Sequence, residues 1–121
     1  MSEELKTYRG SCHCGSVEFS FLAKEITSGR RCNCSICIRK GAVMSVDYFS
    51  PDAFLVLKGI DSLAVYNFGD HTVNHYFCKR CGIYPFHDAV EKPGFYRINL
   101  GCVSGLDPLA IEIGLINGKD F

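Results

Sequence analysis

Hydrophobic positions in this chain alternate over short stretches and nowhere sustain a helical period beyond a turn or two. Val17, Phe19 and Phe21 alternate with Glu18, Ser20 and Leu22, the pattern of a strand with one buried face. Residues 8–12 read as a shorter strand ahead of it. Ser28 and Gly29 then break the chain, and residues 35–40 suit one helical turn ended by Gly41. The stretch 42–48 is β-rich, and Ser50-Pro51-Asp52 opens a turn. Residues 54–58 and 63–68 are predicted strands joined through 59–62, followed by a turn at 69–71 and a strand at 72–77. A knuckle at 78–82 leads into a strand reaching Phe86, a surface loop at 91–94 and a further alternation at 95–100. Gly105-Leu106-Asp107-Pro108 turns into a last strand through Ile113. The sum is one mostly β domain over residues 1–121, with no repeat, linker or low-complexity run.

Eight cysteines among 121 residues change that picture. Three fall in Cys32-Asn33-Cys34-Ser35-Ile36-Cys37. A disulfide between such close neighbours is strained, because its Cα atoms must sit about 4.4–6.8 Å apart at a fixed dihedral. Three thiolates converging on one cation use the spacing more naturally. Cys78-Lys79-Arg80-Cys81-Gly82 has the form of a zinc knuckle, and Cys12-His13-Cys14-Gly15 supplies the two further sulfurs that a closed four-cysteine site needs. That leaves Cys102 open between two roles. As a fourth ligand to Cys32, Cys34 and Cys37 it would make a second closed, structural site. As a buried thiol it would leave that cluster with an open position. An iron–sulfur cluster is a third use of the triplet, although the usual bacterial run is C-x₂-C-x₂-C.

Composition narrows the setting. Hydrophobic residues make up 47% of the chain, an ordinary globular fraction. No apolar run is long enough to span a bilayer and residues 1–10 lack an apolar signal core, so a cytoplasmic location, or a nuclear one in a eukaryote, is expected, with no membrane partner. In a reducing compartment this cysteine density reads as metal binding; in a secreted domain it would read as four disulfides. The formal net charge is +0, but seven ligating thiolates against two divalent cations leave three uncompensated negative charges. Arg30, Arg31, Arg39, Lys40, Lys79 and Arg80 flank cysteines and offset them, so these cations argue against a nucleic-acid surface.

Ser11-Cys12-His13-Cys14-Gly15-Ser16-Val17, Cys32 to Cys37 and Phe77-Cys78-Lys79-Arg80-Cys81-Gly82, in that order, resemble the motif series of the glutathione-dependent formaldehyde-activating (GFA) family, also called the centromere protein V/GFA domain. Asn99-Leu100-Gly101-Cys102-Val103 and Leu106-Asp107 resemble its C-terminal motif, and the likeness covers about residues 8–113. The resemblance implies an Mss-four-like fold of several coiled antiparallel β-sheets stapled by zinc. It implies two Zn²⁺ per chain: a structural ion on Cys12, Cys14, Cys78 and Cys81, and a catalytic one on Cys32, Cys34 and Cys37. It implies the addition of glutathione, the cosubstrate, to formaldehyde, giving S-hydroxymethylglutathione, a carbon–sulfur lyase reaction in the reverse sense.

Arg31, Arg39 and Lys40 are the candidates to meet glutathione's carboxylates, against a reading as solvated surface charge. His13 is expected to point away from the metal. His71, His75 and His87 are each able in principle to protonate a developing alkoxide, and none is singled out. Tyr48, Tyr66, Tyr84, Phe86 and Tyr96 read as core or sheet packing. The competing function is a non-catalytic zinc module that contacts a protein or chromatin partner. The sequence leaves the oligomeric state open.

Overall fold

The alternation at Phe19 and Phe21 becomes strand β2 (Glu18–Ala23) in a computed structural model that describes residues 4–69 and 71–118. It lies antiparallel between β1 (Lys6–Ser11) and β5 (Phe54–Lys58). A second sheet centres on β3 (Ser28–Cys32), with β4 (Met44–Ser45) antiparallel on one side and β10 (Glu112–Ile116) parallel on the other. The third is a meander of β6 (Leu63–Tyr66), β7 (Val73–Cys78), β8 (Phe86–Ala89) and β9 (Lys92–Ile98). One short helix, α1 (Ser35–Lys40), follows β3 and ends at Gly41, whose φ of 65° gives the left-handed cap that glycine adopts without strain. The chain is mostly β, as expected.

The sheets meet over Phe19, Phe21, Phe86, Ile98 and Leu100, all buried. Phe86 stands edge-on to Phe19 at 5.6 Å and to Phe54 at 5.2 Å, the offset geometry aromatic quadrupoles prefer. Cys12 and Cys78 belong to this core cluster. Beneath the third sheet the buried Asp88 carboxylate accepts from Asn74 Nδ2 at 3.1 Å and Tyr76 Oη at 3.2 Å, so β7 and β8 share a polar tie as well as a ladder.

Several boundaries differ from the sequence pattern. Ser28 and Gly29 open β3 instead of breaking the chain. A Cβ at Gly29 would lie 2.5 Å from Val43 Cγ1 and 2.9 Å from Leu100 Cδ1, so the glycine is there for close packing. Gly29→Ala is expected to cost about 1–3 kcal/mol, read as a fall of several degrees in Tm with the zinc count unchanged. Of the β-rich stretch 42–48 only Met44–Ser45 pairs. Residues 83–85 are not a strand; β8 starts at Phe86, just after Pro85, which has no N–H to offer a ladder. Lys92 and Pro93 belong to β9, an edge strand where a proline is tolerated, and the turn sits at 90–91. The last strand runs on to Ile116. In the expected turn at 69–71, the His71 N–H donates to Phe68 O at 2.9 Å; Asp70 lies outside the described residues. Among the described residues no helix is long and apolar enough to cross a membrane.

Candidate metal centres and the cavity beside them

The turn after β1 and the turn after β7 bring four sulfurs together. Those of Cys12, Cys14, Cys78 and Cys81 all lie within 4.8 Å of one another. Cys14 Sγ is 3.7 Å from both Cys12 Sγ and Cys78 Sγ. Four sulfurs held about 2.3 Å from one ion in a tetrahedron would sit roughly 3.8 Å apart, so the donor set fits zinc. Backbone donors already point at the sulfurs: Val17 N–H to Cys12 Sγ at 3.3 Å and Arg80 N–H to Cys78 Sγ at 3.4 Å. Such bonds favour thiolate over thiol. The Ser16 hydroxyl and backbone bring Cys14 down to about 6, whereas burial pushes Cys12 up to about 11.

The second cluster is built at the end of β3. Cys32 closes the strand, Cys34 is the N-cap of α1 and Cys37 lies one helical turn further on. The C-x-x-C spacing thus becomes two neighbouring positions on one helix end, facing a sulfur delivered by the strand. All three sulfurs lie within 4.8 Å, and the Cys34 N–H donates to Cys32 Sγ at 3.4 Å. Burial pushes the Cys37 thiol up to about 12. Cys34 is also raised by burial, but bonds to Cys37 and Cys32 leave its thiol below the ordinary value.

Cys102 does not join this triplet. Its burial pushes its thiol up to about 12, and the charges that add to the effect are Cys12 and Cys81, on the other cluster. Of the two roles the sequence leaves open, a fourth ligand to Cys32, Cys34 and Cys37 has no geometric support.

Beside the three sulfurs lies a cavity of about 640 Å³, within the size range of small-molecule sites. Cys32, Cys34 and Cys37 line it together with Tyr48, His75, His87 and Arg97. Gly118 also lines it, and a Cβ there would lie 2.3 Å from Cys32 Sγ. A separate groove of about 520 Å³ between residues 22–28 and 45–49 contains no cysteine or histidine and so offers no comparable chemistry.

None of the three cations picked from sequence lines the larger cavity. Arg39 Nη1 donates to Ser35 O at 2.7 Å along its own helix. Arg31 lines a different groove with Asn33 and Leu115. Lys40 turns inward: its Nζ is buried without a hydrogen-bond partner, 4.0 Å from the centre of the Tyr84 ring. Burial lowers its pKa, and the sulfurs of Cys37, Cys34 and Cys32 offset only part of that, so the amine sits within electrostatic reach of the cluster. The cavity's own cations are Arg30 and Arg97. Strand parity explains the first, since Arg30 and Cys32 share one face of β3 and Arg31 takes the other. Arg97 Nη2 donates to Val46 O at 3.1 Å, its Nε is buried without a partner, and its guanidinium lies 4.4 Å from the Tyr48 ring centre.

Two tyrosines read as packing are polar members of the site. Tyr84 Oη bridges His75 Nδ1 and His87 Nδ1, the latter at 2.9 Å, and Tyr48 Oη lies 3.4 Å from His87 Nε2. His71 is exposed and bonded to Asn67, away from the cysteines.

Comparison with known proteins adds three findings. A family model described as glutathione-dependent formaldehyde-activating enzyme matches residues 7–114. A Halomonas elongata protein provisionally named as such an enzyme is 26% identical over 101 aligned positions, 68% of this chain; the chain spans 64% of that protein's length. The crystal structure of a Rhodobacter sphaeroides protein, a structural genomics target, superposes with a TM-score of 0.75 at 34% identity, covering 88% of this chain and 99% of the other.

Proposed function

The chain belongs to the glutathione-dependent formaldehyde-activating family, and from that premise we propose that it joins the thiol of glutathione to formaldehyde in the cavity beside Cys32, Cys34 and Cys37. The reaction is a thiol plus an aldehyde giving a hydroxymethyl thioether. The sulfur loses a proton and forms a bond to the carbonyl carbon, and the carbonyl oxygen gains a proton. Run backwards it is a carbon–sulfur lyase reaction. The observation that carries the reading is the contrast between the two clusters: four sulfurs around one point are closed, whereas three sulfurs beside a cavity leave room for a fourth. A zinc ion on the three would supply the Lewis acidity that keeps an incoming thiol deprotonated at neutral pH.

The chain's own residues do the rest. Cys32, Cys34 and Cys37 fix where the sulfur arrives. Three thiolates against a dication would leave one negative charge there, and Lys40, close enough for its amine and the sulfurs to act on each other, is placed to offset it as a fourth thiolate enters. Arg30 and Arg97 are the guanidiniums placed to hold glutathione's carboxylates, since a planar fork pairs with a carboxylate through two parallel bonds. The four-cysteine cluster, tied into the core through Cys12 and Cys78, would hold a structural zinc.

Metal counting with calorimetry tests this. Wild type is expected to carry two zincs per chain and to release heat on titration with glutathione. Cys102→Ser is expected to keep both zincs and the glutathione heat, with only about 1–3 kcal/mol lost from the core. Retention of a single zinc would make the second cluster closed and structural. Two zincs without glutathione heat would favour a binding module over an enzyme.

A further inference from the structure

The proposed addition needs a proton delivered to the carbonyl oxygen as the carbon–sulfur bond forms, and the cysteines cannot give one. We infer that Tyr48 is the catalytic proton donor and that His87, Tyr84 and His75 form a relay resupplying it from the proton the thiol gives up. This rests on the reading of the cavity as the site of thiol addition.

The observation is an unbroken chain of polar atoms along the cavity lining. Tyr48 Oη meets His87 Nε2 at 3.4 Å, His87 Nδ1 meets Tyr84 Oη at 2.9 Å, and Tyr84 Oη also meets His75 Nδ1. Tyr48, His75 and His87 line the cavity that holds the three sulfurs; the two imidazoles are buried and Tyr84, which joins them, is half-buried. Tyr84 has one hydroxyl proton between two imidazoles, so it donates to one and accepts from the other. The bonds therefore share one direction at a time. In the first, His75 Nδ1–H donates to Tyr84, Tyr84 to His87 Nδ1, and His87 Nε2–H to Tyr48, whose own proton faces the cavity.

A relay member must carry one proton and one bare nitrogen, which only a neutral imidazole does. Burial, with the nearby Lys40 ammonium, lowers His75 to about 4; burial, Lys40, His75 and Arg97 lower His87 to about 2. Both rings are neutral at pH 7. The transfer balances. Tyr48 gives its proton to the alkoxide, each member passes one along, and His75 takes the proton that left the thiol. The chain then points the other way and is reset by exchange with water, to which Tyr48 is 40% exposed. Breaking the adduct runs the same steps in reverse.

The test pairs turnover with a readout independent of it. Exchange between formaldehyde and its glutathione adduct is followed by NMR in wild type, Tyr48→Phe and Tyr84→Phe, with glutathione affinity measured by calorimetry in each. Tyr48→Phe is expected to lower kcat about 10²-fold and leave the glutathione Kd within about twofold. In ¹⁵N spectra of the histidine rings, Tyr84→Phe is expected to disturb the tautomers of both His75 and His87, and Tyr48→Phe that of His87 only. Wild-type kcat in Tyr48→Phe, or a Kd that weakens in step with kcat, overturns the relay while leaving the thiol site standing. Ring signals indifferent to Tyr84→Phe overturn it too. A wild type that binds glutathione but does not speed exchange removes the reaction, and the relay goes with it.

Discussion

Serine at position 78 is expected to leave the chain without a cooperative unfolding transition. Cys78 is completely buried, belongs to the core cluster and accepts the Arg80 N–H on its sulfur. A structural zinc on thiolates contributes about 10–16 kcal/mol of apparent binding free energy at pH 7, and most of it is folding free energy. That matches or exceeds the roughly 5–15 kcal/mol that separates a typical domain from its unfolded state. A chain of 121 residues has no reserve to absorb such a loss. Circular dichroism melts with zinc counting would show it: Cys78→Ser should lose metal and the transition together, and Cys34→Ser should lose one zinc and keep the transition. The reverse pattern would mean that the structural and catalytic roles have been exchanged.

Alanine at position 37 is expected to do the opposite, silencing the site in a folded chain. Cys37 is only half-buried and lies outside the core cluster, so a change there removes a ligand without opening a core cavity. With two sulfurs left, the cluster is expected to lose the proposed zinc and with it the thiol. Even changes behind metal ligands cost 10–100-fold, so loss of a ligand should cost more than ~10²-fold in adduct formation. Calorimetry should show no glutathione heat, one zinc should remain, and the melting curve should lie close to wild type. Full activity in Cys37→Ala would place the chemistry elsewhere.

What the sequence discloses follows the range of the interaction concerned. The C-x-x-C of Cys34 and Cys37 and the glycine ending α1 are local, and so are the alternation of Phe19 and Phe21 and the knuckle at Cys78: each is decided within a few residues. The grouping of eight cysteines into four, three and one was partly legible, because motif order carried it. The surroundings were not. Gly29 looked like a break because a glycine packed against Val43 and Leu100 has the same letter as one in a turn. With β3 unrecognised, its parity was lost, and Arg31 was preferred over Arg30. Tyr48, His75 and the neighbouring Tyr84 and His87 come from three separate segments, and no spacing announces that they bond. Lys40 stands next to the cluster in sequence, but its turning inward over Tyr84 depends on a residue 44 positions away.

The parallel pairing of β10 with β3 has a bearing on how the molecule is made. Asn33 Nδ2 donates to Asn117 Oδ1 at 2.8 Å across 84 positions, and Ile116 and Gly118 line the cavity against Cys32. On a ribosome adding about 5–20 residues each second, the four sulfurs of residues 12–81 are all available well before residues 112–118 appear. On the proposed reading, the nascent chain would therefore be able to load a structural zinc first. The pocket in which a thiol would meet an aldehyde takes shape only when that late segment docks, so a half-made chain does not present a finished reactive site to the cell.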